Sequence, residues 1–381
     1  MKGNMRNVFF VIFGIFITIF LSFKIQFAYE NCNGFAFGDW LINYQEAGFS
    51  RRGLVGTIFI FLYETFSIKL QYSVFVVQLI VHVSFFYFLF LLFKIKSTNI
   101  IDFFLFLTPF CLWGFFSDAA IGARKDGILW LLFLVFVYFL SQKKLSKVYQ
   151  YFFYGAFAVS VFIHESFVFY AHYFVIATYY FERKINVQKW IIILLSFYLP
   201  AAIVLWFGHV NINYIQTLKL IKESGIILQK ENIFVWKETE FIKIDFYKKH
   251  YQEVNLYAIS FIFQMLFTIY YMYLKPIRNK KKLLVVFFIS IVITLPLFLI
   301  AIDTGRWFYN HFTLFYILLV SLLPAAETKK TFIDFQLLKN PKRLVFILII
   351  LLACFVYRVP SYMVGIQEGL PLRLFLSLMT R

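Results

Sequence analysis

Residues 68–93 read IKLQYSVFVVQLIVHVSFFYFLFLLF, an apolar run whose only formal charge is Lys69 and which ends against a basic pair, Lys94 and Lys96. A bilayer core needs about 20 consecutive apolar residues in a helix, and this run exceeds that. Its basic flank is what a cytoplasmic helix end carries under the positive-inside rule. Working outward, runs of the same character cover 8–28, 99–116, 127–141, 148–163, 166–181, 190–208, 256–274, 283–301, 307–324 and 344–358. Between them lie further basic clusters: Lys2/Arg6, Lys143/Lys144/Lys147, Arg183/Lys184/Lys189, Lys275–Lys282 and Lys329–Arg343. If every cluster faces the cytoplasm, each neighbouring pair is joined by an outward and a return crossing. The expectation is an all-α polytopic integral membrane bundle of about 11 transmembrane helices (roughly 10–12), forming one transmembrane domain over residues 1–381. The N-terminus is then inside and the C-terminus outside.

Composition excludes most other classes. Hydrophobic residues make up 62% of the 381 and charged residues 15%, with Phe occurring 55 times. A water-soluble domain could not cover that much apolar surface, whereas lipid solvates it. The net charge of +18 sits mostly in short segments between apolar runs, so it reads as a topology signal and no nucleic-acid partner is expected. Cys32, Cys111 and Cys354 are scattered, with no metal-ligand spacing. No N-x-[ST] acceptor occurs, and Val8–Phe23 lacks a small-residue cleavage site, so it reads as a retained first helix. Residues 29–66 form a first outer loop, in which Gly53–Phe66 is too short to span and reads as an interfacial or re-entrant helix. Residues 209–255 form a long extracytoplasmic loop, where Ile212, Ile215, Leu218 and Ile221/Ile226 suggest an amphipathic helix on the membrane. Phe in place of small residues predicts loosely packed, lipid-facing helices.

This topology puts four polar motifs on the outer face: Phe37–Gly53 (FGDWLINYQEAGFSRRG), Ser117–Gly127 (SDAAIGARKDG), His164–Glu165–Ser166, and Asp303–Trp307 (DTGRW). Charges at helix ends in a membrane are costly unless paired or solvated, so four clusters on one side imply a shared polar cavity. Arg51, Arg52, Arg124 and Arg306, with Lys125, break the positive-inside trend. A guanidinium fork binds phosphate or carboxylate bidentately, which suits an anionic headgroup such as a lipid-linked diphosphate. The plainer reading pairs each with a nearby acid: Arg124 with Asp126 or Asp118, and Arg306 with Asp303. Asp39, with Glu46 after it, lies close to the Arg51–Arg52 pair, as a base needs to be to take a proton from a sugar hydroxyl while cations hold the leaving phosphate. His164 and Glu165 supply another base or an acceptor-binding pair. Asp303 and Arg306, beside Gly305 and the expected interface anchor Trp307, suit an anionic or carbohydrate ligand. His82, His172 and His209 read as structural. Walker A, H-E-x-x-H, CxxC and nucleophile-elbow patterns are absent, so ATP-driven transport, zinc proteolysis and haem chemistry have no support.

In length, span number, Phe richness, its late outer loop and its outward Arg and acidic motifs, the chain resembles the polytopic O-antigen and capsular polysaccharide polymerases (Wzy-like). These fall within the broader lipid-sugar-dependent, GT-C-type glycosyltransferases. The resemblance implies polymerisation of polyprenyl-diphosphate-linked repeat units at the outer face of a bacterial inner membrane, with Asp39 in the place of the GT-C carboxylate base. It further implies that Arg51, Arg52, Arg124 and Arg306 carry much of the function. The energy resides in the sugar–diphosphate bond, so no cofactor is expected, and nothing demands a metal. The expected partners are the lipid-linked glycan, the bilayer, a flippase and a chain-length regulator. Alternatives are a single-sugar transferase using a polyprenyl-phosphate donor, a lipid-linked glycan transporter or flippase, and an outer-face acyltransferase with His164 as base.

Overall fold

The computed structural model describes residues 34–45, 49, 51–112, 124–142, 146–208, 214–226, 251–300, 303–326, 341–359 and 367–368, with a few single positions elsewhere. Most of the expected first span, Glu46, Asp118, His209, Ile212, Cys32 and most of the Lys329–Arg343 cluster lie outside the described residues. The described chain is helical apart from a two-residue antiparallel pairing of β1 (Tyr357–Arg358) with β2 (Gln367–Glu368) and a bridge between Lys96 and Ala325. The helices are α1 Gly34–Leu41, α2 Gly53–Phe66, α3 Leu70–Ile95, α4 Ile100–Phe106, α5 Asp126–Ser141, α6 Lys147–Ile163, α7 Ala171–Glu182, α8 Val187–Phe207, α9 Ile215–Glu223, α10 Tyr251–Leu274, α11 Lys280–Ile300, α12 Thr304–Ser321 and α13 Pro341–Val356. A 3-10 segment, Glu165–Tyr170, links α6 to α7.

Four of these are long and apolar enough to cross a membrane: Leu70–Ile95, Val187–Phe207, Tyr257–Leu274 and Lys280–Phe298. At 1.5 Å per residue, helices of 18 to 26 residues are about 27–39 Å long, against a hydrocarbon core of about 30 Å. Several expected spans are thus shorter or differently built. Within the run 99–116 the helix that starts at Ile100 ends at Phe106 and a turn follows, because Pro109 lacks an N–H and disfavours helical backbone at Thr108 before it. The run 166–181 begins as the 3-10 segment and becomes α-helix only at Ala171.

The chain divides into two compact units, and the division falls within α3. The first comprises Phe16–Tyr87 and Gly122–Phe241; the second comprises Met1–Ile15, Phe88–Ile121 and Ile242–Arg381. In the first unit α6 packs along α8, with α5, α7 and the 3-10 segment against them. Their shared core is aromatic: Phe157 lies 4.6 Å from Phe174 and 4.9 Å from Phe197 between ring centroids, and Phe133 and Phe136 close on Phe174 edge-on or tilted. The expectation of lipid-facing Phe fits only part of this: half of the described Phe side chains are buried and few are exposed, while the exposed apolar positions are dominated by Ile, Val and Leu.

In the second unit α12 is buried along its length except at Phe308, with α4, α10 and α11 around it. Asp102, the acid of a capping box at the start of α4, accepts from Lys275 Nζ at 2.6 Å and from the Tyr271 hydroxyl at 2.5 Å. This fully buried pair ties α4 to the C-terminal end of α10. Lys275 therefore neutralises an internal acid instead of serving only as a topology charge.

Candidate functional site

Three of the four polar motifs meet in the first unit. The chain leaves α1 at Leu41 and returns into α2 through Arg52, whose φ of 62° puts a non-glycine residue in the left-handed region. The return is close because residue 56 is glycine: a Cβ there would fall 2.0 Å from the Ile42 carbonyl oxygen. Asp39 on α1 and Arg52 at the head of α2 are thereby held together, with Arg52 Nη1 donating to Asp39 Oδ1 at 2.9 Å.

The other side of the guanidinium faces the 3-10 segment. Arg52 Nε donates to both carboxylate oxygens of Glu165 at 3.0 and 2.9 Å, and Nη2 donates to Oε1 at 2.7 Å. Lys125, at the head of α5, is fully buried and reaches Asp39 from below. Its Nζ donates to the Asp39 main-chain oxygen at 2.7 Å, lies 3.6 Å from Oδ2, and sits 5.5 Å from the centre of the Trp40 ring. His164 completes the group. Its Nδ1 lies 2.7 Å from Ser166 Oγ and 3.8 Å from Glu165 Oε2, and it accepts the Ser166 N–H as the cap of the 3-10 segment.

The formal charges of Asp39, Glu165, Arg52 and Lys125 cancel. Burial opposes the charge on Asp39, but Lys125, then Arg52 and His164, outweigh it and hold its carboxyl far below the usual carboxylate range. Glu165 behaves likewise: burial raises it, while Arg52 and His164 pull it well down. Burial lowers Lys125 despite the attraction of Asp39. Arg52, also penalised by burial, is held firmly protonated by Glu165 and Asp39. Of these groups, Arg52 and Glu165 keep the most exposed side chains, at 22% and 17%, while Lys125 and His164 lie behind them. An incoming ligand therefore meets the Arg52–Glu165 edge first.

The remaining expected residues are placed differently. Arg51 is half-buried with its stem beside Gly208, at the end of α8. Arg124 is half-buried just before Lys125, and Asp126 occupies the first turn of α5, where a negative charge suits the helix dipole. Asp303 and Arg306 belong to the second unit. They pair with each other at 3.1 Å, and Arg306 lies 4.1 Å over the Trp307 ring. Trp307 is buried, so it is part of that unit's interior and not an interface anchor.

Sequence reading missed Trp40, Gly56, Asn43 and Thr217. Asn43, fully buried, donates to Thr217 Oγ1 at 2.8 Å, and Gln71 donates to the Ser224 carbonyl at 2.8 Å, which docks α9 onto the loop after α1 and the start of α3. The expected amphipathic helix in the 209–255 loop is present as α9. It buries Thr217 and Ile221 while Ile215 is exposed, and Ile226 just beyond it is also buried. Among the described residues no group of three or more His, Cys, Asp or Glu side chains could hold a metal ion. No family model, curated protein or solved structure matches the chain.

Proposed function

We propose that this chain is a multi-spanning membrane glycosyltransferase, of about 11 spans, that polymerises polyprenyl-diphosphate-linked repeat units at the outer face of a bacterial inner membrane. The observation that carries the reading is the Arg52 guanidinium shared between Asp39 and Glu165, with Lys125 and His164 behind it. A buried ion network is expensive to desolvate and is weak evidence for stability, so a site that uses those charges explains it better than packing does.

The chemistry follows from that arrangement. A hydroxyl of the incoming unit attacks the anomeric carbon of the growing chain, and the bond from that carbon to the diphosphate oxygen breaks. The hydroxyl proton passes to a carboxylate, and the lipid diphosphate leaves with the bonding electrons. Arg52, with its sequence neighbour Arg51 and with Arg124 next to Lys125, meets the charge on the leaving diphosphate. While Arg52 is bound to Asp39 and Glu165, both are poor bases. A diphosphate that takes over the guanidinium frees one carboxylate and raises its basicity when a proton must be accepted. Lys125 is too deeply buried to greet substrate, so its part is to fix the orientation of Asp39. A flippase supplying the units and a chain-length regulator are the partner classes this reaction needs.

The test is a surface-polysaccharide gel from a deletion strain complemented with wild type, Arg52→Lys or Glu165→Gln. The deletion should collapse a long ladder to a single repeat. Wild type should restore the ladder, and both variants should reach the membrane without restoring it. An unchanged ladder in the deletion strain sinks the proposal. Disappearance of every repeat would favour a second reading, a lipid-linked glycan transporter. That reading draws on buried polar contacts inside the second unit, where Gln264 donates to Thr108 and Tyr316, and Thr294 contacts His311.

A further inference from the structure

The first unit carries a second polar feature, far along α6 from His164. The N-terminal ends of α6 and α8 lie side by side around a half-open groove of about 180 Å³. Lys147, Gln150, Tyr151 and Tyr154 line it from α6; Gln188 and Lys189 line it from α8. Each helix has one cap bond: Ser146 Oγ accepts the Tyr149 N–H at 3.4 Å, and Asn186 Oδ1 accepts the Lys189 N–H at 3.1 Å. The other first-turn N–H groups have no place in the intrahelical ladder, and two parallel helix dipoles present their positive ends here together. Lys147 is exposed, whereas Lys189 is buried and paired with Glu182, so the groove keeps a net positive charge from side chains as well as dipoles.

A free anion would need only that charge. The surroundings fit more. Ile191 and Leu195, three residues on from the lining residues Gln188 and Ile192, are 49% and 55% exposed, so open apolar surface continues from the groove along α8. Tyr151 and Tyr154 at the groove have the apolar body and polar tip that suit a membrane interface. We infer that this groove binds the phosphodiester headgroup of an anionic glycerophospholipid, with its acyl chains lying over the exposed side chains of α8. The neighbouring Arg183 and Lys184 place the groove at the leaflet that the basic clusters assign to the cytoplasmic side. The inference is independent of the sugar-transfer reading and needs only that α8 lies in a membrane.

The experiment uses the full-length protein, purified in detergent and stripped of lipid. Native mass spectrometry and thermal unfolding are recorded with phosphatidylglycerol, phosphatidylcholine or inorganic phosphate added. Phosphatidylglycerol should remain bound and raise Tm; the other two should do neither. Lys147→Glu and Gln188→Glu, both at exposed positions, should fold normally and retain phosphatidylglycerol about fivefold less per unit of charge changed. Equal retention of the two lipids, or undiminished retention by both variants, overturns the inference. So does a Tm rise with inorganic phosphate alone that matches the lipid's, because the groove would then be a simple anion site.

Discussion

Arg52 is committed on both sides, and that commitment sets the site's response to acid. The Lys125 ammonium and the Arg52 guanidinium keep Asp39 ionised well below its ordinary value of 3.8, and Arg52 with His164 keeps Glu165 ionised well below 4.5. In the unfolded chain those carboxylates take up protons near the ordinary values; in the folded chain they resist until much lower pH. Below about pH 4.5 the unfolded state therefore binds more protons, and stability falls as pH falls. The stabilisation is fully present above the ordinary values and is lost progressively beneath them. Each group adds a slope of up to about 1.4 kcal/mol per pH unit in that window. Thermal unfolding of the detergent-purified protein between pH 6 and 3 (about the window that linkage sets) should show Tm dropping more steeply in wild type than in Glu165→Gln. The variant should begin lower, since it leaves Arg52 with one acid fewer. Parallel curves for the two proteins would mean that Glu165 is not held ionised by Arg52.

At the scale of the element, burial divides residues that composition cannot distinguish. Phe152 and Phe157 lie on the same helix, one largely exposed and the other fully buried between the Phe174 and Phe197 rings. Phe157→Ala should cost about 3–5 kcal/mol, because it empties a packed ring site that neighbouring rings cannot fill. Phe152→Ala should cost well under about 1 kcal/mol, because lipid closes over the smaller side chain. Unfolding midpoints in matched micelles would compare them, and equal losses would contradict the packing described. The helices themselves were legible in sequence: the runs 148–163 and 190–208 correspond to Lys147–Ile163 and Val187–Phe207, since an apolar run between polar caps fixes its own ends. The use of Phe was not legible, because a ring suited to lipid is equally suited to an aromatic core. The site shows the same split. The polar motifs stood out against apolar runs, but nothing local indicates that Glu165 meets Arg52 rather than His164 alone. Nor does sequence say that Thr217 in a long loop supports Asn43, since such contacts depend on how helices turn back on one another.

For the whole molecule, the question is which side of the membrane each end of the first unit faces. The Arg52 network sits where α6 ends and the 3-10 segment begins, while Lys147, Arg183, Lys184 and Lys189 gather where α6 and α8 begin. A short helical hairpin cannot place both ends on one side. We propose, from the sequence-based topology in which Lys143 and Lys144 join these four against Arg51, Arg52, Arg124 and Lys125 at the network end, that the second end faces the cytoplasm and that Asp39, Arg52 and Glu165 lie outside. Single cysteines introduced at Gln45 and Lys184, in a background with the native cysteines replaced, make this measurable with a membrane-impermeant maleimide. Gln45→Cys should label in intact spheroplasts, and Lys184→Cys only after permeabilisation. The opposite pattern would put the acid–arginine network in the cytoplasm and the basic groove outside. Extension of exported repeat units would then be excluded at this site, because their diphosphate linkage would lie across the bilayer from Arg52. The proposed sidedness of the network is thus also the condition on which its proposed chemistry depends.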